Sequence, residues 1–205
     1  MENTPVKFLV VIDMQNDFCT DGGSLANPEE IAVAPKIAEY IREHGKEYDV
    51  IISTLDTHAE NYMMTNEGLH LPVPHCIGGT WGHEQNSEIA SEIAKIAYSP
   101  LAPQVDPSLK TLYVYVTKPT FGSENVYATI ENVRLVNGGK AADVEVDICG
   151  VCTDICVVSN ALMLKSKLYD NGEKVSVIED LCAGTSVDNH NAAIQVMKSC
   201  QIEIK

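Results

Sequence analysis

The chain has 205 residues, of which 45% are hydrophobic and 21% are charged. This size and composition are typical of a globular protein with one sizeable core, so residues 1–205 are predicted to form a single domain. The formal net charge of −15 at pH 7 disfavours nucleic acids and anionic membranes as partners, because both repel an acidic protein.

The first apolar run covers residues 6–14 and follows the polar start Met-Glu-Asn-Thr-Pro. The run is too short to span a membrane and lacks the basic flank of a signal peptide, so it is predicted to be a buried strand. The seven cysteines are odd in number and do not have the spacing of a disulfide framework. Together these features predict a cytoplasmic protein with reduced thiols.

Strands and helices are predicted to alternate along the chain. Apolar, β-branched runs predict strands over residues 8–12, 50–54, 112–117, 144–149 and 175–178, with a short sixth at 202–204. Helical patterns cover residues 28–44, 87–96, 123–131, 153–169 and 188–199. Asn27 before Pro28, with Glu30 at the third helical position, resembles a helix start. The alternation predicts a three-layer α/β/α fold with a mainly parallel central sheet of five to six strands.

Residues 57–86 form a long stretch with poor periodicity that is rich in Gly, Pro, His and Asn. A loop of this length inside a compact domain is more often functional than not.

Reactive side chains follow four of the predicted strands. Asp13 follows the first, Asp56 and His58 follow the second, Lys118 follows the third, and residues 150–157 (Gly-Val-Cys-Thr-Asp-Ile-Cys-Val) follow the fourth. Because ligands bind beyond the carboxyl ends of parallel strands, we expect these residues to share one site. Each alone has an ordinary structural explanation, as a core cysteine, a turn former or a surface charge, but their convergence favours catalysis.

The chemistry of these residue types predicts their roles. Cys156 lies near the start of a predicted helix, where free N–H groups and the helix dipole favour a thiolate that attacks an electrophilic carbon. Asp13 would accept the thiol proton and deliver it to a leaving amine, and Lys118 would keep both groups ionised near neutral pH. The backbone N–H groups of Cys152 and Cys156 are candidate donors to the oxyanion of a tetrahedral intermediate.

The same residues resemble motifs of the isochorismatase-like superfamily of cysteine hydrolases, and its nicotinamidase branch in particular. Residues 10–18 (Val-Val-Ile-Asp-Met-Gln-Asn-Asp-Phe) are similar to the first-strand signature, and residues 150–157 are similar to the nucleophile segment. The resemblance covers nearly the whole chain and implies a catalytic triad of Asp13, Lys118 and Cys156. It also implies a cis peptide bond between Val151 and Cys152.

A metal site is suggested by Asp56-Thr57-His58 and by His75, which precedes Cys76. A carboxylate with two imidazoles suits zinc, manganese or iron, although an isolated Asp-x-His is more often a turn. The resemblance implies that Asp56, His58 and His75 bind a divalent metal, with zinc as the first expectation and manganese or iron as alternatives. Such an ion would orient the ring nitrogen of a heteroaromatic substrate.

The substrate pocket is expected to include Phe18, which matches the family's pocket aromatic, together with Phe121 and Val151. Two positions depart from the family pattern. Pro72 stands where these enzymes often have a tryptophan, and Tyr62 stands where some have a further histidine. Whether Trp81 faces the pocket is left open by the sequence.

The resemblance therefore implies an amidohydrolase that cleaves nicotinamide to nicotinate and ammonia through a cysteine thioester, with a small-molecule amide as its partner and a homo-oligomeric assembly. The missing tryptophan keeps a second hypothesis open, in which the same triad acts on a carbamoyl or maleamate-type amide. A third hypothesis is a catalytically idle family member that serves as a binding module.

Overall fold

The computed structural model describes residues 4–101, 106–137, 143–170 and 172–205. Within these ranges the strands are β1 (Val6–Ile12), β2 (Val50–Asp56), β3 (Ala97–Tyr98), β4 (Thr111–Lys118), β5 (Val144–Val151), β6 (Glu173–Ala183) and β7 (Glu203–Ile204). The α-helices are α1 (Asn16–Cys19), α2 (Pro28–His44), α3 (Asn66–His70), α4 (Ser87–Ile96), α5 (Glu124–Asn137), α6 (Val158–Lys167) and α7 (Val187–Ser199).

The strands form one sheet in the order β3-β4-β2-β1-β5-β6-β7, and every neighbouring pair is parallel. Parallel neighbours need a crossover connection, and helices provide most of these crossovers. The three-layer α/β/α prediction is confirmed. The sheet has seven strands rather than five to six, because the sequence prediction missed the two-residue strand β3.

Alternation along β1 builds the two cores. Phe8, Val10 and Ile12 face α5, α6 and α7, whereas Leu9 and Val11 face α2 and α4. All five side chains are fully buried. Because successive side chains of a strand point to opposite faces, a continuous apolar run is what a strand covered on both faces requires.

Two of the predicted helices, α2 and α4, have the predicted limits. The Asn27 side chain accepts a hydrogen bond from the Glu30 N–H at 2.9 Å, which confirms the predicted start of α2. The helix predicted over residues 153–169 is divided: a π-helical turn, Thr153–Val157, precedes α6. None of the helices in the described ranges is both long and apolar enough to cross a membrane.

Gly150 allows β5 to approach β1 closely at the sheet's carboxyl edge. It pairs with Ile12 and has a φ of 121°, in the region that favours glycine. A Cβ atom at this position would overlap the backbone of Ile12. The close pairing therefore holds the end of β1, where Asp13 follows, beside the end of β5, where the segment to Cys156 begins.

Candidate active site

Asp13, Lys118 and Cys156 lie together beyond the carboxyl ends of β1, β4 and β5. The Lys118 ammonium is 2.6 Å from Asp13 Oδ2 and 3.5 Å from Cys156 Sγ. The side chains of Asp13 and Lys118 are fully buried, and Cys156 is only 7% exposed. Their roles stay predictions, but a nucleophile, an acid and a cation stand within reach of one another.

Thr54 fixes the orientation of Asp13. Its hydroxyl donates to Asp13 Oδ1 at 2.6 Å and accepts from the Asp13 N–H at 3.0 Å. Asp13 has a φ of 48°, which is uncommon for a residue other than glycine. This role of Thr54 could not be predicted from the sequence, because a threonine inside a strand usually contributes only to packing and pairing.

Burial dominates the protonation of these groups. It raises the pKa of Cys156 well above its ordinary value, and the negative charge of Asp13 raises it further, while Lys118 opposes both. Burial also raises the pKa of Asp13. Burial alone would lower the pKa of Lys118, but its attraction to Asp13 and Cys156 raises that pKa overall. Burial of the thiol therefore opposes the thiolate that the helix terminus and Lys118 favour, and the Cys156 thiolate stays a prediction.

Cys152 is the N-cap residue of the turn that carries Cys156, and its side chain accepts no hydrogen bond from the N–H groups of that turn. The Val151–Cys152 peptide bond is cis, as the resemblance implied. The Asn160 side-chain amide donates to the carbonyls of Cys156 at 2.8 Å and of Phe121 at 3.0 Å. Asn160 thereby ties the nucleophile turn to the segment after β4. The oxyanion role of the Cys152 and Cys156 N–H groups stays a prediction.

Four side chains form a candidate metal site beside these residues. Asp56, His58, Glu67 and His75 each offer one ligand atom, and these atoms lie within 4.8 Å of one another. His75 Nε2 is 3.3 Å from Asp56 Oδ2 and 3.5 Å from Glu67 Oε1. The three predicted ligands thus come together, and Glu67 joins them although the sequence analysis missed it.

The donor set fits a divalent cation. Two imidazoles and two carboxylates are ligands that zinc, manganese and iron accept. The other ring nitrogen of His75, Nδ1, is 2.9 Å from the Val73 carbonyl, to which it donates while Nε2 faces the cluster. Burial and the nearby Asp56 raise the pKa of Glu67.

Tyr62 packs against the candidate ligands rather than ligating. Its ring meets those of His58 and His75 edge-on, with centroids 4.8 and 5.0 Å away, and its hydroxyl donates to the Leu71 carbonyl at 2.8 Å. Trp81 is half exposed and does not line the cavity described next.

A cavity of about 370 Å³ connects the two clusters. Its lining includes Cys156, His75, Phe18 and Phe121, so the two predicted pocket aromatics flank the nucleophile. Val151 does not line it, contrary to expectation. As the last residue of β5, Val151 turns its fully buried side chain into the core beneath α2.

The loop over residues 57–86 is bonded to the segment that follows β1. The Gln15 amide donates to the Asp56 and His83 carbonyls at 2.9 Å, and the Asn16 amide donates to the Trp81 carbonyl at 2.8 Å. Asp17 Oδ2 accepts from the Cys76 N–H at 2.7 Å. Three consecutive polar side chains thus hold the loop over the sheet edge.

Known proteins share this organisation. The nicotinamidase/pyrazinamidase of Mycobacterium tuberculosis is 29% identical over 97% of this chain and 98% of its own. The nicotinamidase of Escherichia coli is 28% identical over 95% and 91%. The crystal structure of the Pyrococcus horikoshii pyrazinamidase in complex with zinc is 28% identical and covers 98% of this chain and 99% of its own, with a TM-score of 0.68.

A family model for the isochorismatase domain matches residues 7–102 and 137–204. These ranges contain the first-strand motif, all four candidate metal ligands and the nucleophile turn. Because the match extends over most of the sequence and the fold agrees, the chain belongs to the isochorismatase family.

Proposed function

We propose that the protein is an amidohydrolase that converts nicotinamide to nicotinate and ammonia through a thioester on Cys156. The observation that carries the proposal is the buried Lys118 ammonium, which is 2.6 Å from Asp13 and 3.5 Å from Cys156, and Cys156 lines the cavity. The full-length similarity to proteins named nicotinamidase and pyrazinamidase supports the choice of substrate.

The first half-reaction follows from the geometry. Because burial raises the pKa of the Cys156 thiol, its proton passes to Asp13 as Sγ bonds to the carboxamide carbon. Lys118 stays protonated and stabilises both negative groups. Backbone N–H groups of Cys152 and Cys156 hold the developing oxyanion. Asp13 then returns the proton to the amide nitrogen, the C–N bond breaks, and ammonia leaves the thioester.

The second half-reaction restores the enzyme. Asp13 removes a proton from water as the water oxygen bonds to the thioester carbon, and the C–S bond breaks to release the carboxylate and the Cys156 thiol. Asp13 returns its proton to the Cys156 sulfur, and the proton that the new carboxylic acid loses is taken up by ammonia. The sum is one amide and one water converted to one carboxylate and one ammonium ion.

Asp56, His58, Glu67 and His75 would hold a divalent metal, and zinc is favoured because a related pyrazinamidase has been crystallised with it. When bound, such an ion supplies a Lewis-acid site that orients the ring nitrogen of the substrate. Phe18 and Phe121 flank the cavity and would stack against or cover a flat heteroaromatic ring.

Ammonia release from nicotinamide tests the proposal. Cys156→Ala is expected to lower the turnover at least about a thousandfold, because the covalent route is lost. Cys200→Ala is the matched control, since Cys200 is exposed. Full turnover by C156A would rule out the nucleophile. Absence of turnover by the zinc-loaded wild type on nicotinamide, carbamoyl and maleamate-type amides would favour the idle family member.

A cytoplasmic location and a homo-oligomeric assembly are part of the same proposal. The odd number of cysteines and their lack of a disulfide-framework spacing support the location. Sedimentation equilibrium would measure the assembly, and a purely monomeric protein at micromolar concentration would contradict it.

A further inference from the structure

Glu30 is a buried carboxyl group at the cavity that the proposed reaction does not use. It is the third residue of α2 and is only 1% exposed, whereas its neighbour Glu29 is exposed. It lines the same cavity as Cys156, Phe18 and Phe121. A carboxyl group is seldom buried without a partner, because removal of its charge from water is costly.

Only one of its two oxygens is bonded within the described part of the chain. Oε1 accepts a hydrogen bond from the Cys152 thiol at 2.9 Å. Oε2 is buried and has no hydrogen-bond partner there. Cys152 begins the turn that carries Cys156, so the half-satisfied carboxyl lies next to the proposed nucleophile segment.

The surroundings of Glu30 are acidic. Burial raises its pKa to about 7, Asp154 and Glu29 act in the same direction, and the Cys152 and Asn27 side chains oppose them. Asp56 and Glu67 also line the cavity, but Lys118 and a bound metal would balance them. No cation is among the groups that shift the Glu30 pKa, and Oε2 has no hydrogen-bond partner in the described part of the chain, so a ligand that brings a hydrogen-bond donor to Oε2 satisfies it best.

We propose that Glu30 is a specificity-determining residue whose free carboxyl oxygen accepts a hydrogen bond from an N–H or O–H group on the acyl part of the substrate. This group is distinct from the carboxamide that is hydrolysed. The inference rests on the proposed function and narrows it: the preferred substrates are heteroaromatic amides with a donor substituent on the ring.

The test compares the ring isomers of amino-substituted nicotinamide with the corresponding methyl-substituted isomers, which match them in size but lack the donor. The wild type is expected to hydrolyse at least one amino isomer with a kcat/KM roughly tenfold above that of its methyl counterpart. The difference should lie mainly in KM, since the contact exists in both the ground state and the transition state.

Two variants assign the preference to Glu30. Glu30→Leu is expected to abolish it, and the matched control Glu29→Gln should leave it unchanged. Glu30→Gln keeps the shape and the acceptor for the Cys152 thiol but removes the charge, so it should lower the preference for the amino isomer to below about threefold. This variant provides the test if Glu30→Leu does not fold.

The inference is overturned if no amino isomer is preferred by the wild type, or if the preference persists in E30Q. Either result with nicotinamide still hydrolysed leaves the proposed function intact. Failure to hydrolyse nicotinamide and every ring-substituted isomer would instead contradict the proposed function itself.

Discussion

Replacement of Lys118 by methionine tests the buried charge cluster. The substitution keeps the length of the side chain but removes the cation that is 2.6 Å from Asp13 and 3.4 Å from Asp56. Removal of one partner from a buried ion pair typically costs about 3–5 kcal/mol. We therefore expect Lys118→Met to lower the free energy of unfolding by an amount in this range at pH 7.

The protonation of Asp13 limits that loss. An aspartate with an ordinary pKa near 3.9 costs about 4 kcal/mol to protonate at pH 7. In the variant, burial acts on Asp13 without Lys118 to oppose it, so the carboxyl takes up a proton rather than stay buried as an unpaired charge. A raised pKa in the folded state means that the variant loses stability as the pH rises above about 4.

The double variant Asp13→Asn/Lys118→Met separates this cause from loss of packing. It lacks both charges and should be about 4 kcal/mol more stable than K118M at pH 7, which is the cost of protonating Asp13 at that pH, with the difference vanishing near pH 4. The assay is urea unfolding of the chelator-treated proteins, monitored by circular dichroism with the m-value as a check on compactness. Equal or lower stability of the double variant at pH 7 would refute the reasoning.

Three further predictions follow from other parts of the structure. Because burial raises the pKa of Glu30 from 4.5 to about 7, the wild type loses stability as the pH rises through that window. Glu30→Gln does not titrate there, so its free energy of unfolding should gain about 3 kcal/mol relative to the wild type between pH 4 and pH 8 in urea titrations. A pH-independent difference would contradict the shift. Gly150→Ala should lower the free energy of unfolding by about 3 kcal/mol or more, because its Cβ atom would overlap Ile12. Gly22 also has a positive φ but faces open space, so Gly22→Ala should cost only about 1 kcal/mol. Similar losses in the two variants would count against the overlap. Glu67→Gln should weaken zinc binding at least about tenfold, as measured by competition with a chromogenic chelator. Glu60 is exposed, so Glu60→Gln should leave the affinity unchanged. Unchanged affinity in the Glu67 variant would remove Glu67 from the ligand set.

The sequence was sufficient to predict what depends on periodicity and on strand ends. The apolar runs predicted six of the seven strands, all except β3. Asn27 and Pro28 predicted the start of α2 because capping is a local property. The meeting of Asp13, Lys118 and Cys156 was foreseeable, since parallel strands bring their carboxyl ends to one edge.

Features that depend on tertiary contacts were missed. Glu67 lies in the five-residue helix α3 inside an aperiodic loop, and its distance along the chain from His58 carries no signal of proximity. The two-residue strand β3 has no pattern of its own; it directly follows α4 and pairs with β4. The high pKa of the Cys156 thiol depends on how completely the site excludes water, which a helix-terminus argument does not reveal.

Bonds from Gln15, Asn16 and Asp17 end on main-chain atoms of His83, Trp81 and Cys76 in the loop over residues 57–86. Three side chains outside the loop thus hold its backbone in place, and most of the loop's own side chains take no part in these hydrogen bonds. Selection for a new substrate can therefore rewrite much of this loop without loosening it, provided that the tripeptide after the first strand is preserved. Divergent loop sequence above an unchanged anchor is what evolution of new specificities on this scaffold should leave behind.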